Sequence, residues 1–154
     1  MFVDIHRLVE NLPEFTNPRI IKEQLPPNGL YLFHEHGESF KDYSDGSQQK
    51  RIVRIGTSTR EGRFPGRMIA HYRKAGSIFH RHLDSALGTR YERENHSSWG
   101  HVTPDDRMTQ VLEYLEKRFT FRIISFPTAE EACTWEKKLI ATLAPYSFQV
   151  AGKN

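Results

Sequence analysis

The segment 128–143 carries a carboxylate where a helix would carry an apolar side chain. At about 100° per residue, Ala132, Trp135, Leu139, Ile140 and Leu143 form one stripe. Glu130, Glu131, Lys137 and Lys138 fall on the opposite side. Glu136 follows Ala132 by four residues and precedes Leu139 by three, so it belongs to the apolar face. Burying a carboxylate there is costly unless it is paired or bound to a cation. The pattern leaves three readings open: a partner arginine, a face edge where Glu136 reaches water, or a metal ligand. Upstream, Arg67, His71 and Lys74 are spaced i, i+4, i+7 and would share a stripe beside Met68, Ile69 and Tyr72. Such a stripe gains from a bound anion, and arginine's planar fork matches phosphate oxygens. A solvated helix flank is the plainer reading.

Two further residues stand out in apolar runs. In Gly29-Leu30-Tyr31-Leu32-Phe33, strand alternation puts Tyr31 and Phe33 on one face and Leu30 and Leu32 on the other. A tyrosine there is usually packed with its hydroxyl satisfied. Arg54 interrupts Ile52-Val53-Arg54-Ile55 and should point to something anionic. Other signals carry less. His34-Glu35-His36 has too few ligands for zinc and reads as a solvated strand end. His80 and His82 diverge on a helix and would at most touch backbone phosphates. Cys133 reads as a small buried residue. No phosphate-cradling glycine loop or nucleophile elbow is present.

The elements that must position these groups follow from periodicity and punctuation. The run 29–33 is a buried strand behind Pro26 and Pro27, and 51–55 is a second strand. The polar segment 35–50 reads as a long hairpin connection. Helices are expected at 66–74 and 77–87, with an irregular polar stretch over 88–101. Thr103-Pro104-Asp105-Asp106 opens a helix with a hydroxyl cap, a first-turn proline and acids at the positive dipole end. Met108, Val111, Leu112 and Leu115 give it an apolar face. A third strand spans 119–126. The last helix starts at Thr128, with Glu131 three residues on as a capping box, and stops at Pro145. Residues 4–11 are weakly helical. The expected fold is α/β (α+β): a small mixed or antiparallel three-stranded sheet flanked by helices.

The chain has 154 residues, 37% hydrophobic and 27% charged, enough for one domain over 1–154. Its core is expected at 26–148, with 1–25 as an N-terminal extension. No apolar run approaches the roughly 20 residues of a membrane span. The N-terminus lacks the pattern of a secretory signal, and a single cysteine excludes an internal disulfide. A cytoplasmic location is the expectation. Between positions 50 and 93, eleven Lys and Arg face three acids, a net +8 that leaves −5 for the rest of a chain whose total is +3. Such a segment suits a polyanion, and nucleic acid is the commonest.

Taken in order, Gly29-Leu30-Tyr31, Arg54-Ile55-Gly56, Arg67, and Glu136 in a helix ending at Pro145 resemble the GIY-YIG nuclease domain. His71 also fits, four residues after Arg67, where relatives carry tyrosine or histidine. The resemblance implies a division of labour. Tyr31 would orient or deprotonate the attacking water, a task for which a phenol, ionising near pH 10, needs nearby positive charge. Arg54 or the metal would supply it. Arg67 would hold the scissile phosphate, and His71 would assist by hydrogen bonding or proton transfer. Glu136 would bind one divalent cation, Mg²⁺ or Mn²⁺. Arg54 replaces the second motif's usual tyrosine, so one water-positioning hydroxyl is missing. The asparagine that often follows the final proline is also absent, with Gln149 nearby.

The expected function is metal-dependent hydrolysis of DNA phosphodiester bonds, with RNA the alternative polynucleotide. Arg54, Arg60, Arg63, Lys74, Arg81, Arg90 and Arg93 would contact the nucleic acid. Two rival classes keep the fold without the chemistry: a nucleic-acid-binding module with an impaired site, and a protein–protein adaptor that presents the basic surface to an acidic partner.

Overall fold

A computed structural model describes residues 9–16, 22–41, 46–74 and 76–143. The C-terminal features at Pro145 and Gln149, and residues 4–8 of the weak N-terminal helix, lie outside these residues. Three strands, β1 (Gly29–Lys41), β2 (Gln48–Thr57) and β3 (Phe119–Ser125), form an antiparallel sheet in the order β2-β1-β3. Among the described residues four α-helices follow: α1 (Phe64–Ala70), α2 (Ile78–Asn95), α3 (Pro104–Arg118) and α4 (Ala129–Leu143). No helix among the described residues is long and apolar enough to cross a membrane.

Alternation along the central strand divides the core as expected. Tyr31 and Phe33 join Val53, Phe64, Met68, Phe79, Leu83, Val111, Leu115 and Phe121 on the face covered by α1, α2 and α3. Leu30 and Leu32 join Ile52, Ile55, Val9 and Leu139 on the face covered by α4. The caps also fall as expected. Thr103 Oγ1 accepts the Asp106 N–H at 3.2 Å, and Thr128 Oγ1 accepts the Glu131 N–H at 3.1 Å, without the reciprocal Glu131 bond of the expected capping box among the described residues.

Several boundaries differ from the sequence expectation. The polar segment 35–50 is mostly strand, because β1 and β2 continue as a solvated hairpin with Ser39 opposite Lys50 and Lys41 opposite Gln48. Helix α1 stops at Ala70, four residues short of the expected end. Helix α2 runs on through Gly88 to Asn95 instead of ending at 87. Gly88 is there for close approach: a Cβ would lie 2.6 Å from the Trp99 ring, which packs directly on the helix. Trp99 Nε1 donates to Asp84 at 3.0 Å, and its main-chain N–H donates to Glu92 at 2.9 Å. Trp135, assigned to the apolar stripe of α4, is instead 47% exposed with Lys138 Nζ 4.9 Å from its ring centre. It lies about 100° around the helix from Glu136, outside the face that meets the sheet.

His34 is not a solvated strand end: it is buried beside Arg122 of β3. Arg122 Nη1 donates to His34 Nε2 at 3.0 Å, so Nδ1 carries the ring proton and donates to the Arg51 carbonyl at 3.1 Å. With both nitrogens engaged, His34 has none for zinc. Arg122 also donates to the Leu12 carbonyl at 3.2 Å and lies 3.5 Å from Glu14, fastening residues 9–16 to the sheet. Burial, and then the Arg122 charge, push His34 down to about 4.

This depression sets an acid limit on stability. The unfolded chain protonates His34 near pH 6.5 and the folded chain only near 4, so stability present above pH 6.5 is lost as pH falls through that window, by about 3 kcal/mol. Burial holds His71 and His80 down as well, which acts in the same direction. Urea unfolding at pH 7.5 and pH 4.5 should show this loss. It should be smaller in His34→Gln.

Candidate active site

The site is built where the β1–β2 pairing is irregular. Phe33 pairs with Arg54 but His34 pairs with Ile52, so β2 carries one extra residue, Val53. A bulge of this kind turns two successive side chains to one face. Val53 enters the core beside Tyr31 and Phe33, and Arg54 stays on that face, its guanidinium carbon 4.8 Å from the Phe79 ring centre. The bulge is why an arginine fits an apolar strand. Arg54 is 2% exposed, with Nη1 3.5 Å from His82 Nδ1.

Tyr31 pairs with Gly56. A Cβ at Gly56 would lie 2.0 Å from the Tyr31 hydroxyl oxygen, so only glycine lets the phenol rest over the β2 backbone. The Tyr31 ring meets His71 edge-on, with centroids 4.9 Å apart. His71 caps the C-terminal end of α1 and is fully buried. Its Nδ1 lies 3.4 Å from Ser77 Oγ, and its Nε2 has no hydrogen-bond partner among the described residues. Burial, then Arg54 and Arg67, hold the imidazole well below its usual range, so it is neutral. His80 fixes this arrangement from the first turn of α2. It accepts the Ser77 N–H at Nδ1 (3.2 Å) and donates from Nε2 to the His71 carbonyl (2.6 Å). Both His80 nitrogens are therefore engaged inside the protein, which leaves none for the expected phosphate contact.

Glu136 reaches this cluster from the other side of the sheet. β2 is an edge strand, and its Thr57 main-chain N–H donates to the Glu136 carboxylate. Burial pushes Glu136 above the usual carboxylate range; the charges of Arg54 and Arg67 oppose that shift. Both arginines thus act on both Glu136 and His71. Arg67 is half-buried, with its Nε enclosed and unpartnered among the described residues.

A second network, not foreseen from sequence, holds α4 in place. Buried Asn28 donates from Nδ2 to Glu61 at 2.9 Å and accepts the Gly62 N–H at 3.0 Å. The other Glu61 oxygen accepts the Ala129 N–H at 2.6 Å, at the N-terminus of the helix that carries Glu136. The available signal was an asparagine just before the first strand and a lone acid in an arginine-rich loop.

The structure therefore brings together Tyr31, Arg54, Arg67, His71 and Glu136. Lys74 does not join them, because α1 ends before it; it is exposed and paired with Asp105 at 2.7 Å. The stripe expected of Arg67, His71 and Lys74 is not a continuous helical face. Arg60 and Arg63 are exposed on the loop before α1, and Arg81 and Arg93 are exposed on α2. Arg90 pairs with Glu94 at 3.0 Å. Cys133 is half-buried, not fully buried, and burial raises its thiol pKa.

Among the described residues, no three His, Cys, Asp or Glu side chains converge. The donor set at the cluster is one hard carboxylate beside two guanidiniums. That suits Mg²⁺, which keeps several waters and relies on one or two carboxylates plus substrate phosphates. It does not suit zinc, which takes three or four protein ligands.

Comparison with curated proteins and with solved structures gives no match. The family model described as the GIY-YIG domain matches residues 4–151. With nearly its whole length matched to this nuclease-type fold, the chain belongs to the GIY-YIG domain family.

Proposed function

We propose that the protein is a divalent-metal-dependent endonuclease that hydrolyses DNA phosphodiester bonds. The observation that carries this reading is the convergence of Arg54 and Arg67 on a half-buried carboxylate, Glu136, beside a neutral histidine and a phenol. A phosphodiester is the anion that two guanidiniums match. Arg67 binds the scissile phosphate and stabilises the charge that grows on it, with Arg54 adding fixed positive charge from below. The Tyr31 hydroxyl, resting over Gly56, orients the attacking water. The water oxygen bonds to phosphorus as the bond to the leaving oxygen breaks. With the ring proton on Nδ1 toward Ser77, His71 Nε2 is the acceptor for the proton released. Burial first, and then the neighbouring arginines, oppose a charged His71, and the bound phosphate offsets the arginines. Glu136 would hold Mg²⁺ or Mn²⁺, which when bound polarises a phosphate oxygen and stabilises the leaving group.

The alternative is a nucleic-acid-binding module with an impaired site. Arg54 favours it, because the second motif's hydroxyl is absent. The two readings separate on one assay. Purified protein with Mg²⁺ or Mn²⁺ should cut DNA, and chelation should abolish cutting. Glu136→Ala should bind DNA and fail to cut, and Arg67→Ala should lose about 10²–10³-fold in rate. Binding without cutting by the parent on every substrate would support the module.

Gly56→Ala tests the role of the phenol. The added methyl must displace the Tyr31 ring, so cleavage should fall by about 10²-fold or more. DNA affinity should hold, because the basic surface is untouched. An unchanged rate would remove Tyr31 from the mechanism.

A further inference from the structure

We propose that a cleft between α2 and α3 is a second phosphate subsite, which takes a non-scissile phosphodiester of the bound strand. The proposal rests on the nuclease reading and extends it. The cleft, about 330 Å³, is lined by Arg81, Arg107, His80 and Asp84 over Met108 and Pro104. Arg81 and Arg107 each stand in the first turn of their helix. That is the positive end of the dipole, where acids stabilise and cations do not. The two arginines line one cleft, and among the described residues neither side chain has a hydrogen bond or ion pair. Arg107 Nε is enclosed without a partner.

Among the described residues the nearby acids pair with neither arginine. Asp84, the carboxylate lining the cleft, has Oδ1 engaged by Trp99 Nε1 at 3.0 Å. Asp105, beside Pro104, pairs with Lys74 at 2.7 Å. Two cations lining one cleft are stabilised by a bound anion, and a tetrahedral phosphate suits a pair of guanidinium forks.

The cleft adjoins the catalytic cluster. His80 forms part of its wall and uses both ring nitrogens on the Ser77–His71 segment. Its ring centroid is 6.4 Å from that of His71. A phosphate in the cleft would therefore lie on the far side of His80 from His71. A strand held there and at Arg67 would be gripped at two phosphates with the reacting one fixed between Arg67 and Tyr31.

The test uses the full chain, a short DNA oligonucleotide and EDTA to prevent cleavage. Affinity is measured across a salt series for wild type, Arg81→Ala, Arg107→Ala and Lys117→Ala. Lys117 is exposed at the other end of α3 and controls for net charge. Arg81→Ala and Arg107→Ala should each weaken binding about 10-fold and flatten the log K against log salt slope by about one. Lys117→Ala should behave as wild type. In a parallel NMR titration, the oligonucleotide should shift the Arg107 Nε–H resonance, as should inorganic phosphate at higher concentration. Equal affinities for Arg107→Ala and Lys117→Ala overturn the subsite and leave the nuclease reading standing. A shift with inorganic phosphate but none with the oligonucleotide makes the cleft a free-anion site and overturns its assignment to a strand. Wild type that fails to bind DNA at low salt overturns the nuclease reading, and the subsite's assignment with it.

Discussion

A carboxylate at the edge of β2 faces two guanidiniums across the end of the strand, and the rest of the molecule is arranged around that meeting. Glu136 comes from α4 on one face of the sheet, and Arg54 and Arg67 belong to the other. They meet because β2 is an edge strand whose outward Thr57 N–H holds the carboxylate. Burial disfavours the charged acid and the arginines favour it, and the two effects oppose each other at one atom group. Burial first, and then the same arginines, keep His71 neutral. One pair of cations therefore acts on both groups, favouring the charged form of Glu136 and the neutral form of His71.

Backbone geometry places these groups. The extra residue at Val53 turns Arg54 onto the face of Tyr31 and Phe33, and the missing side chain at Gly56 leaves room for the phenol. Two positions three residues apart on one strand thus fix the motif's arginine and tyrosine. Away from the sheet, Asn28 holds Glu61, which accepts the Ala129 N–H at the start of α4, and His80 donates to the His71 carbonyl. Loss of either would move Glu136 or His71 without removing it.

Much of this was legible in the sequence. The alternation of Tyr31 against Leu32, the caps at Thr103 and Thr128, and the misfit of Glu136 and Arg54 depend on local periodicity, which a sequence carries directly. What was not legible depends on partners distant in the chain. Gly88 looks like a helix end until Trp99 is seen against it. His34 looks like a wet strand end until Arg122, 88 residues on, donates to it. The hairpin beyond Glu35 is polar on both sides, so alternation could not mark it as strand. Angle alone turns Trp135 inward, yet it is exposed, because the sheet covers the Glu136 side of α4. Lys74 joins Arg67 only on an unbroken helix, and α1 ends at Ala70.

The most direct test is crystallographic: the protein with Mn²⁺ and a DNA strand carrying a non-hydrolysable linkage, read by the metal's anomalous scattering. One Mn²⁺ peak bonded to a Glu136 oxygen, with the phosphate it touches held by Arg67, is the result this account predicts. Metal bound elsewhere, or a phosphate on Arg67 with Glu136 making no contact to any ion, would contradict it.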